Sequence, residues 1–431
     1  MFNIKKMISI LLALVLTIAV VPSFAEGPIE VVIPHYKTGQ NVGAKFFMPQ
    51  VDRFNAKYEG KYKIVIEELT QELYAEKMKQ LGMQKKLPAL VEGGDKDWIE
   101  KVVIPQNMYT DLMPFVNERP DLKSLLLQKQ MEYNTFDGKL FSINVPVVRP
   151  IGLYYNSELV NFSKPTGEFA NWDELVSELG DNKIAFMTGE NCWTTELVFA
   201  SLIANEEGGL ELMDAHKQDR LLDYNNPQFI NAAKKLQKLL QNNAAANTVG
   251  AVYADAANAF MSKNAALIAN GSWMMGDFTE GNDDKWSNGF TGKTVKGGIM
   301  PGNIAVGNAD GYSLWIPSTV SDQEREVALA FIEFMLSPEE LEAYMLAEGG
   351  IAPNLKTSDE FNKKRSEDAL MYEYVNSVNA DTRLVPNFEE VVPHSISNLE
   401  FGKLLPKLID GSLSAEDFCN ELTKKASETG M

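Results

Sequence analysis

From Ile29 onward, short apolar runs alternate with segments whose apolar residues recur at the helical period, and this alternation most constrains the fold. Strands that pair in parallel need a crossover between them, so the pattern calls for βα units with helices covering a mostly parallel sheet. The spacing predicts a strand over Ile29–Ile33 and a helix over Val42–Ala56 with Phe46, Phe47, Val51 and Phe54 on one face. A strand over Tyr62–Ile66, a helix over Gln71–Leu81 and a short strand over Pro88–Val91 follow. In open parallel sheets ligands sit beyond the carboxyl ends of the strands, which directs attention to the polar loops at 35–40 and 92–97.

Further along, helix boundaries are marked by capping chemistry. Asn171 precedes Trp172-Asp173-Glu174, and Asn226-Pro227 opens a helix with Phe229, Ile230, Ala233, Leu236 and Leu240 on one face. Ser321 with Glu324, and Ser337-Pro338-Glu339-Glu340, read as capping boxes, the second helix stopping at Gly349-Gly350. No internal repeat, low-complexity tract or long linker interrupts residues 26–431, so any domains are joined by short crossings.

The residue inventory excludes several functions. With 40 Lys plus Arg against 59 Asp plus Glu the net charge is −19, which argues against a nucleic-acid partner, since a phosphate backbone calls for a basic stripe. Cys192 and Cys419 cannot build a disulfide framework or a four-thiolate zinc site. His35, His216 and His394 are not spaced as metal ligands on one helix turn, and no Gly-x-Ser-x-Gly elbow is present; no metal or cofactor is expected.

Residues 1–25 read as an export signal. Lys5 and Lys6 precede an apolar run from Met7 to Val21, and Ser23-Phe24-Ala25 provides small residues for cleavage after Ala25. Fifteen apolar residues fall short of the ~20 needed to span a bilayer. Cleavage would remove both lysines and take the charge from −19 to −21. No cysteine lies near the cleavage site to carry a lipid, so a soluble periplasmic or extracellular protein is expected.

The run Gly152-Leu153-Tyr154-Tyr155-Asn156-Ser157-Glu158-Leu159, then Pro165-Thr166 and Asn171-Trp172-Asp173-Glu174-Leu175, resembles the extracellular solute-binding proteins of ATP-driven importers, in the carbohydrate branch that includes the maltose-binding type. The order continues with Phe260 to Leu267 leading to Asn270-Gly271-Ser272-Trp273, then Asp310-Gly311 before Leu314 to Ile316, then Ser337-Pro338-Glu339-Glu340 and Gly349-Gly350-Ile351-Ala352-Pro353. The resemblance implies a two-lobe α/β periplasmic-binding-protein fold (type II), monomeric, with the ligand cleft between lobes that close about a hinge. It implies a signal peptide over 1–25, one lobe from 26–147 plus 308–351, and the other from 148–307 plus 352–431. Crossings would lie near Val145–Arg149, Gly307–Tyr312 and Gly350–Asn354. The implied partners are a sugar and the permease subunits of the importer, and no catalysis is implied.

Sugar sites combine flat aromatic faces with polar side chains that satisfy hydroxyls. Trp273, after Gly271-Ser272, matches the family's pocket tryptophan, with a core or rim position as its alternative. Glu190 and Trp193 match an acid and an aromatic of the second lobe, while Asp95 and Lys96 match an acidic-basic pair that grips hydroxyls. Glu92 stands where the maltose type has an aromatic, leaving His35 and Tyr36 as substitutes; Ser272 and Asp310 complete the expected set. Arg149 departs most, standing where the maltose type holds an acid. Its planar fork suits carboxylate or phosphate, and with Lys37 and Lys96 it raises an anionic solute, a uronate-containing sugar or glycerol phosphate; an ion pair bridging the lobes is the alternative. A secreted glycoside hydrolase is the rival class.

Overall fold

The computed structural model describes residues 27–39, 41, 43–189, 191–216, 220–278, 288–307 and 311–429. The expected signal peptide, and with it Glu190 and Asp310, lies outside the described residues. The strands that matter below are β1 (Ile29–His35), β2 (Tyr62–Glu68), β3 (Val91–Glu92), β4 (Ile143–Asn144), β5 (Ile151–Asn156), β6 (Ile184–Ala185), β7 (Leu267–Gly271), β8 (Val295–Gly298), β9 (Ile304–Gly307), β10 (Ser313–Trp315) and β11 (Arg383–Pro386). The helices are α1 (Ala44–Lys57), α2 (Gln71–Met83), α3 (Trp193–Asn205), α4 (Pro227–Asn243), α5 (Asp322–Met335), α6 (Pro338–Glu348), α7 (Asp359–Glu367) and α8 (Ala369–Asn376).

The two largest hydrophobic clusters among the described residues define two lobes. In the first, β1 and β2 pair in parallel from Ile29 opposite Tyr62 to His35 opposite Glu68, and α1 lays Phe46, Phe47, Val51 and Phe54 against them. Leu314 of β10, Phe331 of α5 and Leu341 and Tyr344 of α6 close the same core. In the second, α3 is buried from Thr194 to Ala204, which makes it the central helix of its lobe. Around it pack Leu153, Leu236 and Phe388. Among the described residues no helix is long and apolar enough to cross a membrane.

The sheets are less parallel than the periodicity predicts. In the second lobe the strand order is β11-β9-β5-β7-β6, and β5 runs antiparallel to β7, β8 and β9. In the first, β10 runs antiparallel to β3 and β4. All six residues of β5 are buried, so its sequence shows no alternation of apolar and polar positions and carries no signature of direction.

Caps follow the sequence with one exception. Asn171 accepts from the Glu174 amide, Asn226 from Phe229, and Ser321 and Glu324 form the reciprocal box. Ser337 makes no side-chain cap; Glu340 turns instead to Arg53 on α1, which reaches it through two nitrogens at 2.6 and 2.7 Å. A bidentate charged pair outcompetes a single capping bond.

The crossings place the site. Val147 packs in the first core and Ile151 in the second; Val306 belongs to the second and Tyr312 to the first. Ile351 exchanges two backbone hydrogen bonds with Val148, tying two crossings together. Ala352, Leu355 and Phe361 still pack in the first core, whereas Met371 and Tyr374 on α8 pack in a further cluster with Tyr154 of β5. The chain thus keeps contact with the first core as far as Phe361 on α7.

Candidate functional site

The first lobe supplies a buried ionic floor where β1 and β3 end. Glu92 Oε1 accepts from the Lys37 ammonium at 2.5 Å and the Tyr36 hydroxyl at 3.0 Å. Its Oε2 lies 2.8 Å from His35 Nε2. His35 Nδ1 accepts the Lys37 backbone N–H, so a neutral ring carries its proton on Nε2 and directs it at Glu92. Burial holds His35 below its ordinary pKa, consistent with that neutral form. Burial alone would raise the Glu92 pKa, but the Lys37 charge and the His35 and Lys37 hydrogen bonds outweigh it and bring it to about 2. The Tyr74 hydroxyl accepts the Glu92 N–H and donates to its carbonyl, and the Lys37 ammonium sits 3.8 Å from the Tyr312 ring centroid.

Between the lobes lies a cavity of about 670 Å³, with Tyr133 and Pro353 on one side, Arg149 on the crossing, and Asp214, Trp273 and Glu390 on the other. Trp273 reaches it because β7 ends in Gly271: a Cβ at Gly271 would stand 2.2 Å from the indole, so only glycine lets the ring fold back over the strand end. Trp193, in the first turn of α3, lies 5.5 Å from Trp273 with the rings inclined at 42°, and its Nε1 donates to Glu389 at 3.0 Å. The guanidinium of Arg149 is 4.8 Å from the Trp273 ring and donates to Glu348 Oε2 at 3.0 Å.

Polar contacts bridge the lobes away from the crossings. Arg220 reaches Glu100 at 2.8 Å, His394 Nε2 lies 3.6 Å from Asp95, and Lys45 lies 3.3 Å from Asp277. Asp95 also caps the turn at Trp98 and holds Lys79 at 2.7 Å. Its burial is outweighed by Lys79 and the Trp98 amide, and its pKa falls below the ordinary value.

The structure thus brings Trp273 and Arg149 together at the cavity, with Trp193 behind them against Trp273, and His35 and Tyr36 together around Glu92. Asp95 stands at the lobe contact, and the Lys96 ammonium lies 4.4 Å from the Tyr133 ring, buried and, among the described residues, without a hydrogen-bond partner. Two expectations change. Ser272 is fully buried and donates to the Glu348 carbonyl rather than facing the cavity, because the end of α6 packs directly on it. His35 is the last residue of β1, only 2% exposed and stacked 3.9 Å from Phe47, so its polar edge is spent on Glu92. Arg149 takes the paired alternative. Tyr133, Glu348 and Glu390 escaped the sequence reading; only Glu348 had a local signal, standing just before Gly349-Gly350. Cys192 and Cys419 are both buried, and no disulfide joins them. Among the described residues no cluster of His, Cys, Asp or Glu is arranged to hold a metal ion.

A family model for bacterial extracellular solute-binding proteins matches residues 50–371. Among solved structures, a chitin oligosaccharide binding protein superimposes with a TM-score of 0.73 at 18% identity, covering 92% of this chain and 98% of that one. A Streptococcus pneumoniae solute-binding protein in complex with the blood group A-trisaccharide gives 0.71 at 17%, covering 92% and 98%. The maltose/maltodextrin-binding domain MalE from Bdellovibrio bacteriovorus, bound to maltotriose, gives 0.65 at 16%, covering 93% and 99%. At these identities the likeness is one of fold. No curated protein sequence matches the chain.

Proposed function

Because the chain belongs to the bacterial extracellular solute-binding proteins, we propose that it binds a neutral sugar or oligosaccharide between its lobes and delivers it, unaltered, to the permease of an ABC importer. The observation that carries this reading is Trp273, backed by Trp193, facing Tyr133 in the lining of a cavity of about 670 Å³, the size and aromatic character of a small-molecule site. Aromatic faces match the apolar faces of pyranose rings, while Asp214 and Glu390 offer acceptors to hydroxyls. The similar solved structures include proteins whose titles name a chitin oligosaccharide, a trisaccharide and maltotriose. Export through the segment 1–25, with cleavage after Ala25 and no lipid-bearing cysteine, belongs to the same proposal.

Neutral solute is preferred because the cations nearest the crossing already have acids: Arg149 holds Glu348 and Lys37 holds Glu92. A solute carboxylate or phosphate at Arg149 would have to compete with Glu348. An anionic sugar or glycerol phosphate remains the second reading, favoured by the buried ammonium of Lys96, which rests on the Tyr133 ring and makes no hydrogen bond among the described residues. Mass spectrometry of co-purifying glycan, followed by calorimetric titration with maltotriose, chitotriose and a uronate-containing trisaccharide, tests the choice. Stoichiometric binding of a neutral glycan that Trp273→Ala weakens about tenfold or more supports the proposal, on the scale of losing a desolvated aromatic contact. Binding confined to the uronate, affinity unchanged by Trp273→Ala, or product released from aryl-glycosides would overturn it.

A further inference from the structure

We propose that Arg149 is a positioning residue that couples the angle between the lobes to the seating of Trp273. It is the side chain on the crossing that touches both sides: Glu348 of the first lobe at 3.0 Å and the Trp273 ring of the second at 4.8 Å. The Tyr344 ring, also of the first lobe, lies 5.6 Å away.

The end of α6 is built to accept this contact. Glu348 is the last residue of that helix, where the dipole disfavours a carboxylate and the final carbonyls lack intrahelical partners. Arg149 neutralises the carboxylate from the crossing, and Ser272, the neighbour of Trp273 in sequence, donates to the Glu348 carbonyl. The approach is close enough to require both glycines that follow. A Cβ at Gly349, whose φ is +74°, would stand 2.4 Å from Ser272 Cβ; one at Gly350, whose φ is +104°, would stand 2.6 Å from Val147 Cγ1 and 2.8 Å from the Val148 oxygen. Glu348 and its two glycines thus dock the first lobe against the base of the Trp273 turn, and Arg149 ties that dock to the indole face.

A rotation that moves the end of α6 off the Trp273 turn cannot leave both contacts intact. The guanidinium either follows Glu348 and releases the indole or stays on the indole and releases Glu348. Since the plane of Trp273 forms part of the cavity wall, the lobe angle sets the platform a solute meets. This proposal stands on the interlobe contacts and is independent of which solute binds.

The test uses the whole protein with no added solute. Incorporation of 5-fluorotryptophan gives resonances for the six tryptophans, and Trp273→Phe assigns the one that matters. Glu348→Gln removes the ion pair without touching the indole, Arg149→Met removes both contacts, and Arg149→Lys keeps the charge but loses the planar face. The expected result is that Glu348→Gln shifts the Trp273 resonance, that Arg149→Met shifts it further and raises the X-ray scattering radius of gyration, and that Arg149→Lys restores the radius but not the resonance. Loss of a desolvated cation–π contact should change the seated fraction of Trp273 roughly tenfold. A Trp273 resonance unmoved in Glu348→Gln would overturn the coupling even if the melting temperature fell, and should Arg149→Met fail to fold, Glu348→Gln alone decides.

Discussion

Replacing Glu92 with glutamine removes the charge at the centre of the ionic floor while keeping its shape. In the folded protein the carboxyl ionises near pH 2 rather than near 4.5, and each tenfold difference in ionisation constant is worth about 1.4 kcal/mol. Glu92 is 7% exposed, so solvent screens little of this, and its charge stabilises the fold by roughly 3 kcal/mol at neutral pH. The sign follows from proton binding. Between pH 4.5 and 2 the unfolded chain takes up a proton that the folded chain refuses, so the contribution is full above the unfolded value, falls to about half by pH 3 and disappears below the folded value. Urea unfolding of wild type and Glu92→Gln, followed by tryptophan fluorescence at pH 7, 5 and 3, measures the gap. A loss below about 1 kcal/mol at pH 7, or a gap that does not shrink between pH 5 and 3, would refute the view that Lys37 and His35 hold Glu92 ionised against its burial.

Three further outcomes are expected. Gly271→Ala places a methyl 2.2 Å from the indole and should unseat Trp273, read as a displaced fluorotryptophan resonance with the circular dichroism of the fold retained. Arg220→Gln removes the 2.8 Å pair with Glu100 and should raise the scattering radius of gyration, whereas an unchanged radius would show that this pair does not help hold the lobes together. Cys192 and Cys419 should both resist a thiol reagent until the protein is unfolded; burial pushes the Cys419 thiol up to about 12, which starves it of reactive thiolate, and stoichiometric labelling of the native protein would contradict their burial.

Much of this protein is written locally. The face of α1, the caps at Asn171, Asn226 and Ser321 and the stop of α6 at Gly349 depend on residues within a few positions of one another, and each forms as its spacing predicts. The Gly271-Ser272-Trp273 turn is local too, because the steric demand of the indole on Gly271 is met within three residues. What no local pattern contains is direction and partnership. The uniformly buried β5 reads the same in a parallel or an antiparallel sheet, and its sense was decided by the strands that flank it. Ser337 and Glu340 have the spacing of a cap, but Arg53, 287 residues away, offered Glu340 a stronger bond. Arg149 could equally face a solute anion or a protein acid until the fold brought Glu348 to it across 199 residues. The sequence by itself determined which faces are apolar, where helices begin and end, and which residues carry charge and aromatic rings. Only the tertiary structure decided which charges cancel, because Coulomb attraction and desolvation act through distance in space, and that distance is set by the packing of the two lobes.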